Sequence, residues 1–145
     1  MNDTTTKKQD ICLTYGTDNK TIERIVSWSL ASIPENSITK NTLVLLPNIE
    51  SGAYKTRAAK CDYAATNIYN SYSRCNPANL RLFDSTITES AIFYDDQTCI
   101  LSTYLPNSTG HSAPSTVIPS TDIRYACKLA SFQTLWNNSK PSSMS

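Results

Sequence analysis

Glycine is scarce in this chain, three in 145 residues, so no glycine-rich loop is available to cradle a phosphate. Histidine occurs once, at His111. No two of the five cysteines stand in CxxC or CxxxC spacing, and without tight Cys/His spacing a tetrahedral zinc site is not expected. Charged residues make up only 17% and the net charge is +1, with the basic residues scattered singly. The basic stripe that nucleic acid demands is missing, so no nucleic-acid partner is expected. No run approaches the ~18 apolar residues of a membrane span. The segment from Met1 to Lys8 lacks the apolar core of a signal peptide.

The cysteines themselves, Cys12, Cys61, Cys75, Cys99 and Cys127, are the main positive feature. Wide spacing in a small domain reads as a disulfide framework, and hence an oxidising compartment. Cys12, Cys61, Cys75 and Cys127 are the candidates for bridges, and Cys99 is the candidate free thiol, since five is odd. A Cys12–Cys127 clasp would join the chain ends. A Cys61–Cys75 bridge depends on local structure, because fourteen residues of continuous helix separate Cα atoms by about 21 Å. Bridged cysteines sit only about 4.4–6.8 Å apart. Serine, threonine and asparagine supply about a third of the chain, and sequons place glycosylation candidates at Asn2, Asn107 and Asn137. Together these features predict a secreted, extracellular protein whose signal peptide has been removed.

Along the chain, residues 1–9 are expected to be disordered, residues 10–136 to form one domain and residues 137–145 a disordered tail. A short strand is read at 11–15. Ile22, Ile25, Val26, Ser29, Leu30 and Ile33 share a stripe of 3.6 period ahead of Pro34, which predicts a first helix. Residues 42–46 read as a buried strand and residues 55–72 as a second helix. Strands are expected at 80–83, 90–94 and 98–105, with Asp95-Asp96-Gln97 as the hairpin turn. Residues 106–120, with three prolines and Gly110, read as a long loop, and 122–129 as a last strand. This order predicts an α+β domain: an antiparallel sheet packed by two amphipathic helices and stapled by about two disulfides.

No catalytic constellation emerges. His111 has no orienting partner nearby in sequence, and Ser112 beside it makes no dyad. Asp95-Asp96, the one contiguous acidic pair, reads as a solvated turn. No cofactor or metal is expected. Eight tyrosines, among them Tyr63, Tyr69, Tyr72, Tyr94 and Tyr104, suggest packing first and partner contact second.

Cys12 followed by a helix, a hairpin and a late Cys127 resembles the plan of T1-type ribonucleases and of ribonuclease-like effectors of plant-pathogenic fungi. Tyr104 stands where that family's histidine would be. The spacing Cys61 to Cys75, the run from Asp95 to Asn107 and Tyr125-Ala126-Cys127 are similar to the Alt a 1-like fungal secreted family, which implies a β-barrel with a Cys61–Cys75 bridge. The shared implication is a small secreted effector or virulence factor, not an enzyme. It would bind a host protein or cell-surface component and be open to recognition by a host immune receptor as an avirulence factor. The alternatives are a secreted ribonuclease-like hydrolase using His111, and a small-ligand carrier of lipocalin type.

Overall fold

The computed structural model describes residues 5–7, 21–30, 33, 37–61, 70–104 and 114–142. Eight strands form one mixed sheet: Thr5–Lys7 (β1), Ile22–Val26 (β2), Leu43–Pro47 (β3), Leu80–Phe83 (β4), Glu89–Tyr94 (β5), Thr98–Thr103 (β6), Pro114–Pro119 (β7) and Lys140–Pro141 (β8). Their spatial order is β1-β7-β6-β5-β2-β3-β4-β8. β2, β3 and β4 run parallel, while β5, β6 and β7 form an antiparallel meander joined to β2 through β5. Helices Gly52–Cys61 (α1) and Ile123–Asn137 (α2) and a short 3-10 turn at Pro77–Asn79 complete the named elements.

Both faces of the sheet are covered, so its central strands are apolar almost throughout, as in β3 and β5. One face is mainly aliphatic, with the ring of Tyr94 buried in it. Ile25, Val44, Leu46, Ile92 and Ile100 pack there with Leu30, Ile33 and Cys75. The other face is aromatic, and Trp28, Phe83 and Phe93 meet Tyr54 from α1 and Tyr125 and Phe132 from α2. α2 starts at Asp122, whose Oδ1 accepts from the Arg124 backbone N–H at 2.9 Å. Its inward residues Tyr125, Leu129, Phe132 and Trp136 recur at helical spacing. The β5–β6 turn carries Asp95 and Asp96 at φ 52° and 53°, with Gln97 N–H donating to Tyr94 O at 2.9 Å. Positive φ at both central residues is the turn geometry that matches strand twist in tight hairpins.

The expected antiparallel, disulfide-stapled architecture is overturned. The sheet is mixed, and Cys75, Cys99 and Cys127 are free thiols. The Cys61–Cys75 bridge therefore does not form. Cys127, exposed on α2, makes no clasp with Cys12, which lies outside the described residues. In place of the first helix is β2, a central strand. A bulge between Ile22 and Arg24 puts Ile22 and Ile25 on the same face, three residues apart, which imitates helical spacing. In place of the last strand is α2, and part of the expected long loop is β7, with prolines at its two ends. The second expected helix is seen as α1 and as helical residues 70–73; residues 62–69 fall outside the described set, as does the strand expected at 11–15. Both expected disordered ends supply edge strands, β1 against β7 and β8 against β4.

Candidate functional site

β2 is where the sheet changes direction: a parallel neighbour lies on one side and an antiparallel one on the other. In open α/β sheets, ligands gather beyond the carboxyl ends of strands. Three segments converge there: Ser27-Trp28 leaving β2, the connection 84–88 entering β5, and Tyr104 leaving β6. Trp28 Nε1 donates to Ile87 O at 3.3 Å, and Tyr104 N–H donates to Thr88 O at 2.9 Å. The Tyr104 hydroxyl accepts from Trp28 N–H at 3.0 Å and shares a 2.9 Å hydrogen bond with Ser27 Oγ. Arg57 from α1 places its guanidinium 4.5 Å from the Tyr104 ring centre and 5.4 Å from that of Trp28. The connection 84–88 is thereby pinned at both Ile87 and Thr88.

Between this connection and α2 lies a cleft of about 210 Å³. Its floor is apolar: Val26, Ala91 and Leu101 from the sheet, and Phe132 and Leu135 from α2. Ala91 explains the space. Two residues further along the same face Phe93 fills the gap to α2, meeting Tyr125 and Phe132 edge-on at 5.7 and 6.0 Å. At Ala91 no such ring is present, and the wall stays open. The polar lining consists of Thr86, Thr88, Ser131 and the ion pair between Lys128 Nζ and Glu89 Oε1. Each member of the pair keeps about a third of its side-chain surface exposed (29% and 34%), so water and ligands can reach it. A shallower basin of about 460 Å³, bounded by Ala130, Thr134 and Asn138, continues outward past Ile87 and Leu135.

The two buried thiols, Cys75 and Cys99, are not poised for chemistry. Burial pushes Cys99 up to about 12, opposed by the nearby Lys128 charge, and burial pushes Cys75 up to about 11. Both are protonated at neutral pH, and a thiol is a poor nucleophile in that form. At the opposite end of β2, Arg24 lies 2.7 Å from Asp96 and 3.5 Å from Glu23. Hydrogen bonding with Asp96 raises Glu23 to about 7 and lowers Asp96. Arg24 thus meets two neighbouring carboxylates, one held above and one below the ordinary carboxylate range. No group of three or more metal-binding side chains occurs among the described residues.

Of the residues singled out from sequence, Cys12, Asn2, Asn107 and His111 lie outside the described set, and Cys61 ends α1. Asn137 ends α2 and is exposed, its Oδ1 accepting from Gln133 Nε2 at 3.1 Å. Tyr104 alone among them belongs to the cleft's support. Arg57, Ala91, Glu89 and Lys128 carried no sequence signal, because Glu89 and Lys128 are 39 residues apart and meet only once α2 forms. Trp28, which lies off the expected helical stripe, is 2% exposed and anchors the connection.

No helix among the described residues is long and apolar enough to cross a membrane. Comparison of the chain with protein-family models, with curated proteins and with solved structures finds no match.

Proposed function

We propose that this protein is a non-catalytic binding domain whose ligand is a small molecule held in the cleft between α2 and β5. The observation that carries this reading is the cleft itself: an apolar floor opened by Ala91, with an accessible ion pair at its rim. Ligand sites are concave and mostly apolar, with a few placed polar groups that fix orientation. An apolar cavity of about 150 Å³ accepts a benzene ring. This cleft is larger, at about 210 Å³, and opens outward.

The reading keeps the binding character expected of an effector but changes the occupant from a host macromolecule to a small amphiphile. It revives the ligand-carrier alternative on an open mixed sheet rather than a barrel. The expectation of secretion leaned on a disulfide framework, and the free Cys75, Cys99 and Cys127 withdraw that support.

The test is thermal denaturation with small aromatic and aliphatic probes. Ligand at a hundred times its Kd stabilises a protein by about 2.7 kcal/mol. For a chain of this size that raises Tm by about 5–10 °C. Ala91→Phe fills the floor and abolishes the shift. Thr88→Trp, at an exposed rim position, does the same without disturbing the core. Shifts of equal size in both variants and the parent would remove the cleft from consideration.

A further inference from the structure

The rim pair determines what kind of head group the ligand carries. We propose that the cleft selects a zwitterion with an apolar side chain, the class of free α-amino acids with a branched aliphatic or phenyl group. This rests on the cleft being the binding site.

The cleft's charged lining is one cation and one anion in contact, Lys128 Nζ and Glu89 Oε1. A ligand bearing only a carboxylate gains Lys128 but meets Glu89 at the same rim. It also draws the lysine away from its partner and leaves a partly buried carboxylate uncompensated. A ligand bearing only an ammonium has the mirror problem. A molecule with both charges a few ångströms apart avoids both. Its ammonium faces Glu89 and its carboxylate faces Lys128, so four alternating charges replace two and no group loses its counter-charge.

The hydrogen-bonding capacity fits. An ammonium group offers three donors, and a carboxylate about four acceptor sites. One contact between Lys128 and Glu89 uses few of these. Ser131 Oγ already donates to Cys127 O at 3.0 Å, leaving its lone pairs to accept from a ligand ammonium. Below the pair, the floor of Val26, Ala91, Leu101 and Phe132 contains no polar side chain. The side chain of the ligand is therefore apolar, and the volume is closer to an isobutyl or benzyl group than to two rings.

Calorimetric titration of the full chain with L-phenylalanine, L-leucine, 3-phenylpropionate, phenethylamine and neutral benzyl alcohol tests the proposal. L-Phenylalanine binds at least tenfold more tightly than either single-charge analogue. In Glu89→Gln its affinity falls at least tenfold while that of 3-phenylpropionate rises, because the repelling carboxylate is gone. In Lys128→Met phenethylamine gains instead. The double reversal Glu89→Lys with Lys128→Glu keeps the preference for the zwitterion, which a purely structural role for the pair would not produce. If 3-phenylpropionate or benzyl alcohol matches L-phenylalanine in the parent protein, the zwitterion inference is overturned while the small-ligand reading stands. If none of the five binds at millimolar concentration, both fall.

Discussion

The two faces of the sheet are built from the same strands yet do different work. On the aliphatic face, Ile25, Ile92 and Ile100 come from β2, β5 and β6 and interdigitate with branched side chains. On the aromatic face, rings from the sheet and from α2 meet edge to face: Trp28 on Phe83 at 5.4 Å, and Phe93 on Tyr125 and Phe132. Flat rings fix angles and leave space where a ring is missing. The cleft at Ala91 is on the ring side for that reason.

Removing Phe93 is the most direct way to break this contrast. Phe93→Ala is expected to cost about 3–5 kcal/mol in urea denaturation. Ile92→Val, the adjacent residue on the other face, costs about 1 kcal/mol. Equal losses would mean that the Phe93 ring contributes less than its burial alone predicts.

A smaller effect sharpens the same comparison at its polar end. On the aliphatic face Ser90, Ser102 and Ser115 sit in register across β5, β6 and β7, all fully buried. Ser102 Oγ and Ser115 Oγ share a 2.6 Å hydrogen bond, whereas Ser90 Oγ has no hydrogen-bond partner among the described residues. Ser102→Ala therefore costs about 1 kcal/mol, and Ser90→Ala is neutral or stabilising by up to about 1 kcal/mol. Chemical denaturation of the two variants side by side gives the ordering.

The smallest effect concerns pH at the hairpin end of β2. Glu23 has its folded value raised to about 7 from an ordinary 4.5. Its contribution to stability is present in full below about 4.5 and is lost as pH rises through 7. Asp96 is lowered, so its contribution is present above the ordinary carboxylate range and is lost on acidification. Glu23→Gln should match the parent near pH 4.5 and exceed it at pH 8. A parent that gains stability between pH 5 and 8 relative to Glu23→Gln would contradict the raised Glu23.

What was legible in sequence follows from how many faces an element buries. The run Leu43 to Leu46 is apolar on both sides and short, so it reads correctly as a buried strand. β2 reads wrongly because its bulge brings Ile22 and Ile25 to one face, and Leu30 and Ile33 then join the same cluster after the chain turns. α2 misleads in the reverse sense. Ile123, Tyr125, Cys127 and Leu129 alternate like a strand, yet Ile123 is 80% exposed and Cys127 is exposed too. The Asp122 cap and the spacing of Tyr125, Leu129, Phe132 and Trp136 were the signals that identify the helix. The cleft could not be read at all, since Ala91 becomes a cavity floor only when a helix lies over it.

The sheet's outermost strands are also its shortest, three residues in β1 and two in β8, and they are the first and last of the described strands in sequence. Each screens an inner strand's open hydrogen-bonding edge, β7 on one flank and β4 on the other. During synthesis β4 therefore stays uncovered until Lys140 and Pro141 emerge, although Arg81 in that strand already grips Trp136 O and Ser139 once α2 is made. Deleting Lys140 and Pro141, or displacing them with a bulky insertion, would convert the β4 flank into a template for strand addition by another molecule. For this fold, resistance to self-association lies in two strands of only three and two residues.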